Sequence, residues 1–83
     1  MKYRAKIEVS LKPGHSDPEG ETASRLLKEL GYAVDSVNVS KMYIVIIESY
    51  TAEEAKSKAE EMAKRLLANP TKDNYTISVG EHK

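Results

Sequence analysis

Hydrophobic and polar positions alternate strictly at the start of the chain. Tyr3, Ala5, Ile7, Val9 and Leu11 fall on one face, and Arg4, Lys6, Glu8 and Ser10 on the other. A period of two over this length predicts a half-buried strand. Lys12-Pro13-Gly14 supplies the turn chemistry that ends it. Asp17-Pro18 then reads as a helix start, with Asp17 free to cap backbone N–H groups and Pro18 suited to the first helical position. Ala23, Leu26, Leu27 and Leu30 follow at i, i+3, i+4 and i+7, which makes one apolar stripe. Gly31 is placed to close that helix as a left-handed cap.

Val37 and Val39 share a face in a predicted second strand, and Ser40-Lys41 reads as a tight connection into a third strand, Met42 to Ser49. Thr51-Ala52-Glu53-Glu54 is a capping box opening a second helix. Its stripe is Ala55, Ala59, Met62, Ala63, Leu66 and Leu67, and its outer face pairs Glu54 with Lys58, Glu60 with Lys64 and Glu61 with Arg65 at i, i+4. Asn69-Pro70 stops it, because the residue before a proline resists the helical region. Tyr75, Ile77 and Val79 alternate in a last strand. The order β-α-β-β-α-β predicts a single α+β domain over residues 1–83. Its expected form is a two-layer ferredoxin-like sandwich, with a four-stranded antiparallel sheet and two helices on one face. Arg25-Leu26-Leu27 recurs as Arg65-Leu66-Leu67, so the two halves read as similar strand–helix–strand units.

Two features of this pattern point outside the chain. The third strand is apolar on both sides: Met42, Ile44 and Ile46 form one row, and Tyr43, Val45 and Ile47 the other. A two-layer sandwich leaves one sheet face wet, so a strand of this kind needs a cover that the chain does not supply. Gly20, in the first turn of the first helix, costs up to ~1 kcal/mol relative to Ala. It implies close approach of another backbone, from this chain or from a partner.

Size sharpens the first point. A chain of 83 residues buries only roughly 60% of its unfolded surface. Disulfides or thiolate-bound metal could compensate, but there is no Cys. His15 and His82 are too few for a metal cage. Association with other chains is the remaining source of stability.

Charge and composition exclude several classes. Lys plus Arg number 13 and Asp plus Glu number 13, so the basic excess of a nucleic-acid binder is missing. The outward positions Arg4, Lys6, Glu8 and Ser10 offer no aromatic to stack on a base, and the chain has no Phe or Trp. No apolar run approaches the ~20 residues of a membrane span, and the first residues lead directly into a strand. A cytoplasmic protein without membrane or nucleic-acid partners is expected. No arginine sits in a Gly-rich phosphate loop, and no Cys is available as a nucleophile. Asp17 and Glu19 read as first-turn acids favoured by the helix dipole rather than as a catalytic pair. The expected site list therefore holds no catalytic, cofactor-binding or metal-binding residue.

Three motifs carry a resemblance. Lys12-Pro13-Gly14-His15-Ser16-Asp17-Pro18-Glu19-Gly20 resembles the loop Lys-x-Gly-Val-x-Asp-Pro-Glu-Gly of the PurS family, the small subunit of phosphoribosylformylglycinamidine synthase. Leu30-Gly31-Tyr32 followed by Val37-x-Val39 is the second motif, and Leu66-Leu67-Ala68-Asn69-Pro70 followed by Tyr75 is the third. Together they span nearly the whole chain. The chain departs from the family pattern at His15, Asn38 and Ser40, and in the Thr71–Asn74 linker.

The resemblance implies a non-catalytic subunit in purine biosynthesis, joined to a synthetase large subunit and a glutaminase subunit. It also implies a copy of itself, as a dimer or tetramer. ATP and Mg would belong to the synthetase, and this chain would support transfer of ammonia from glutamine to formylglycinamide ribonucleotide. Lys12, Gly14, Asp17, Pro18 and Gly20, with Leu67, Ala68, Asn69 and Pro70, are the expected partner interface. Tyr43, Val45 and Ile47 are expected at the self-association face. A free-standing ligand-binding regulatory module and a small independent enzyme remain the alternatives.

Overall fold

The computed structural model describes residues 1–83. Strand β1 (Lys2–Leu11) is followed by helix α1 (Pro18–Glu29), strand β2 (Lys41–Glu48), helix α2 (Ala52–Met62) with a π-helical turn (Ala63–Leu67), and strand β3 (Asp73–Glu81). The sheet has three strands in the order β2-β1-β3, all antiparallel.

Register explains the core. Tyr3 pairs with Ile47 and Glu81, Ala5 with Val45 and Val79, and Ile7 with Tyr43 and Ile77. Directly paired residues share a face, so the odd-numbered row of β1 lies under α2 between apolar neighbours. Ala5 and Ile7 are fully buried, and Tyr3, Val9 and Ile47 nearly so. Ala55, Ala59 and Ala63 meet them from α2, also fully buried. Three methyl-sized side chains at i, i+4 and i+8 let the helix approach the sheet closely. Full burial of Ile7 alone contributes about 1.5–3 kcal/mol.

The helix termini follow their signals. Thr51 Oγ1 accepts from the Glu54 N–H at 3.0 Å. Gly31 takes φ +98°, its N–H donates to the Lys28 carbonyl, and the Tyr32 N–H donates to that of Leu27. This pair of hydrogen bonds around a left-handed glycine is the Schellman cap.

The expected four-stranded sheet with two helices on one face is not what forms. Residues 32–40 make no ladder, and α1 packs on neither the sheet nor α2 beyond marginal contact. A hairpin at Ser40-Lys41 would need residues at positive φ, but only Gly14 and Gly31 adopt it. Lys41 is already in register with Val9, so no residues remain for a reversal. The Val39 N–H donates instead to Asp17 Oδ2 at 2.8 Å. Residues 32–40 are thereby tied to the start of α1, and the two form an arm beside the β1–α2–β3 body. The radius of gyration is 16.2 Å, against about 12 Å for a compact chain of this length.

Candidate interaction surfaces

The root of the arm is built around one carboxylate. Asp17 caps α1: its Oδ1 accepts from the Gly20 N–H at 2.9 Å while its Oδ2 accepts from Val39. These donors, Val39 first and Gly20 second, hold the Asp17 carboxyl below the usual carboxylate range. Gly20 is the buried residue of α1. A Cβ there would collide with the Val37 carbonyl oxygen, so the backbone approach that Gly20 implies comes from within the chain.

The loop after β1 and the end of α2 come together at one end of the body. Lys12 Nζ donates to the Pro70 carbonyl at 3.0 Å, and the Lys12 N–H to the Lys72 carbonyl at 2.7 Å. Asn69 organises its own turn. Its Oδ1 accepts from the Thr71 N–H at 2.9 Å and the Lys72 N–H at 3.3 Å, and its N–H donates to Asp73 Oδ2 at 2.9 Å. Lys12, Gly14, Asp17, Leu67 and Pro70 thus line adjoining hollows at this end. Pro18 is exposed at the first position of α1, while Gly20 and Ala68 are buried inside the chain. Gly14 holds φ +90° with open space around its Cα, so conformation rather than crowding demands glycine there. His15 is exposed beside it, on the rim of a polar groove of about 660 Å³ that also holds Arg25, Lys28 and Asp35.

The apolar surfaces lie elsewhere. On β2, Ile47 is buried in the chain's own core, and Tyr43 and Val45 are half-buried beside it under the helix layer. The row open to solvent is Met42, Ile44 and Ile46. Alternation revealed both rows, but only pairing with β1 shows which one α2 covers. On α1, Leu26 and Leu30 are 47% and 74% exposed. On the π-turn, Leu66 is 82% exposed, although its place in the helical stripe predicts a core residue; nothing local in Ala63-Lys64-Arg65-Leu66-Leu67 signals that turn. The ion pairs of α2, Lys58 with Glu54 at 3.1 Å and Arg65 with Glu61 at 3.3 Å, are solvent-facing. Lys58 holds the Glu54 carboxyl below its ordinary value. No three His, Asp or Glu side chains converge on a metal-sized site, and no helix is long and apolar enough to cross a membrane.

A two-strand-edged α+β body, an arm with an uncovered stripe and an end built from ordered loops define a small assembly subunit. Comparison with known proteins gives its family. Residues 4–81 match the profile of PurS, phosphoribosylformylglycinamidine (FGAM) synthase. Subunit PurS of that synthase from Methanocaldococcus jannaschii is 42% identical over 78 residues, covering 93% of this chain and 94% of the relative. The structure of Thermus thermophilus PurS superposes with a TM-score of 0.91 at 33% identity over 100% of both chains. A chain in the PurLQS structure of Thermotoga maritima gives 0.87 at 26% identity, covering 96% of this chain and 99% of that one. The chain belongs to the PurS family, the small subunit of FGAM synthase.

Proposed function

We propose that this chain is the bridge of a cytoplasmic FGAM synthase, holding a synthetase chain and a glutaminase chain in one assembly while carrying no chemistry itself. The observation that carries this reading is its full-length likeness to a chain of the Thermotoga maritima PurLQS structure. ATP and Mg act on the synthetase, where formylglycinamide ribonucleotide is activated. Ammonia released from glutamine must reach that site before water takes or protonates it, so the two centres have to be joined and shielded. A bridge also raises the effective concentration of one centre at the other.

The end where Lys12 meets Pro70 is the surface for the enzymatic chains, since ordered loops on a rigid scaffold are where recognition concentrates. Self-association uses the arm: the α1 stripe finds on a second copy the cover that its own chain withholds. The test is reconstitution with and without this subunit, assayed with glutamine and with high external ammonia. Glutamine-dependent synthesis should collapse without it, while ammonia-dependent synthesis survives at least in part. Undiminished glutamine-dependent activity would remove the bridging role and leave a regulatory module as the better reading.

A further inference from the structure

A bridge between two chains needs two surfaces that do not overlap. The end where Lys12 meets Pro70 offers one, and the sheet offers another on the face turned away from α2. There the even-numbered residues of β1 stand between those of its two neighbours. Arg4 pairs with Ile46 on β2 and Gly80 on β3, and Lys6 pairs with Ile44 and Ser78. The face is therefore three adjacent rows, all exposed: Met42, Ile44 and Ile46 at one edge, Lys2, Arg4 and Lys6 along the middle, and small residues at the other edge. A solvated sheet face is ordinarily polar throughout, so the aliphatic edge is a patch of the kind that marks an interface.

The middle row lacks counter-charges where it matters. Glu48 and Glu8 flank it, but Glu48 is taken by the Met1 ammonium at 3.2 Å and Glu8 accepts from the Ser40 hydroxyl at 3.3 Å. Arg4 and Lys6, between them, form no ion pair. Two cations two residues apart on one strand lie roughly 7 Å from each other, within a screening length at ordinary salt, so they repel until an acid from outside joins them. Gly80, beside Arg4, is the second observation. Its φ is not in the left-handed region, and a Cβ there would meet nothing. Nothing inside the chain asks for glycine at that point, and a glycine in a strand marks close approach of another backbone. The rows also select the occupant. A second copy packed face to face about a twofold axis would set the cationic row against its own image. Nucleic acid stacks its bases on aromatic side chains, and the even-numbered residues of the three strands include none.

We propose that the open sheet face is a second docking surface of the bridge, and that it takes a segment of an enzymatic chain with Asp or Glu over Arg4 and Lys6 and aliphatic side chains over Ile44 and Ile46. This rests on the bridging reading, and the experiment separates the two. Assembly of the full-length subunit with the enzymatic chains is measured by sedimentation at low and high salt. Sedimentation of the subunit alone and circular dichroism are the controls for self-association and folding. The double variant Arg4→Glu, Lys6→Glu should weaken the hold on one enzymatic chain by about tenfold or more, with self-association unchanged. Added salt should weaken the native contact but not that of the double variant, because the attraction it screens is already gone. Gly80→Val has room inside its own chain, so it should fold normally and weaken the same contact by blocking the approach.

If the native subunit couples glutamine to synthesis but both variants assemble as it does, the face is unused: the proposal falls and the bridging reading stands. A double variant that loses self-association instead assigns the face to a second copy. One that assembles normally but loses a binding of single-stranded RNA seen with the native chain assigns it to nucleic acid. Either result overturns the proposal. If the native subunit joins neither enzymatic chain, both readings fall. Should the double variant not fold, Gly80→Val decides, since it leaves every charge in place.

Discussion

The body and the arm of this small chain use the same materials to opposite ends. In the body, Ile7, Ala55, Ala59 and Ala63 are fully buried, and each buried side chain meets another from the same chain. In the arm, Leu26, Leu30, Tyr32 and Val39 are all exposed; Asp17 joins the arm's own two segments, and the polar tie to the body is at Ser40, whose Oγ donates to Glu8 Oε2 at 3.3 Å. The amphipathic stripe of α1 is as regular as that of α2. An apolar stripe therefore specifies that a helix must be covered, but not by which chain. In the body the covering is intramolecular and supplies folding stability; in the arm the chain leaves the stripe exposed.

The sharpest break between the two regions comes from truncating one residue in each. Ile7→Ala should cost about 2–5 kcal/mol, a large part of the roughly 5–15 kcal/mol that holds a small domain together. Leu30→Ala should cost the isolated chain less than about 0.5 kcal/mol and act on association instead. Urea unfolding at two protein concentrations distinguishes them. Equal losses in the two variants would abolish the distinction between body and arm.

Gly20→Ala addresses the arm's internal tie. The added methyl meets the Val37 carbonyl oxygen, so the segment should lift from α1 at a cost of about 1–3 kcal/mol. Faster amide exchange at Val39, with the β1 amides unchanged, is the expected signature. Exchange that accelerates throughout the chain would mean that arm and body unfold together.

The Asp17 tie should depend on pH in one direction. Its folded pKa lies below the ordinary value, so its contribution is fully present above about 3.9 and is lost as pH falls through the lower folded value. The Val39 amide shift should stay constant from neutral pH down to about 4 and move only below it. A transition near neutral pH would assign the tie to some other group.

The smallest effects belong to exposed polar residues. His15→Ala should change glutamine-dependent synthesis by far less than the ~10²–10⁴-fold that follows loss of a general acid or base. Arg25→Ala, which breaks an exposed pair with Glu29 at 3.4 Å, should shift stability by no more than about 0.5 kcal/mol. A large loss of activity in an assembled His15→Ala complex would make the loop part of an active site.

The sequence by itself determined β1, both helices with their N-terminal caps, a strand expected over Met42 to Ser49 that forms over Lys41–Glu48, and a last strand around Tyr75, Ile77 and Val79 that forms over Asp73–Glu81. Each rests on signals that act over a few residues: alternation, stripes at helical spacing, Asp17 and Thr51 as caps, and Gly31 as a stop. The motifs of the Lys12–Gly20 loop and the Leu66–Pro70 helix end also pointed to the family before any fold was known.

Tertiary structure decided what depends on partners distant in the chain. Val37 and Val39 have a strand's alternation, but the Val39 N–H went to a carboxylate 22 residues away, and without a turn at Ser40 no ladder could form. Met42, Ile44 and Ile46 were indistinguishable from Tyr43, Val45 and Ile47 until pairing Tyr3 with Ile47 set one row beneath α2. Leu66 was turned outward by a hydrogen bond that skips one more residue than an α-helix allows. Local propensity is a short-range energy and was readable in every case. Which of two equal faces is covered is settled by packing between residues far apart in sequence, and the stripe of α1 finds no such packing within its own chain.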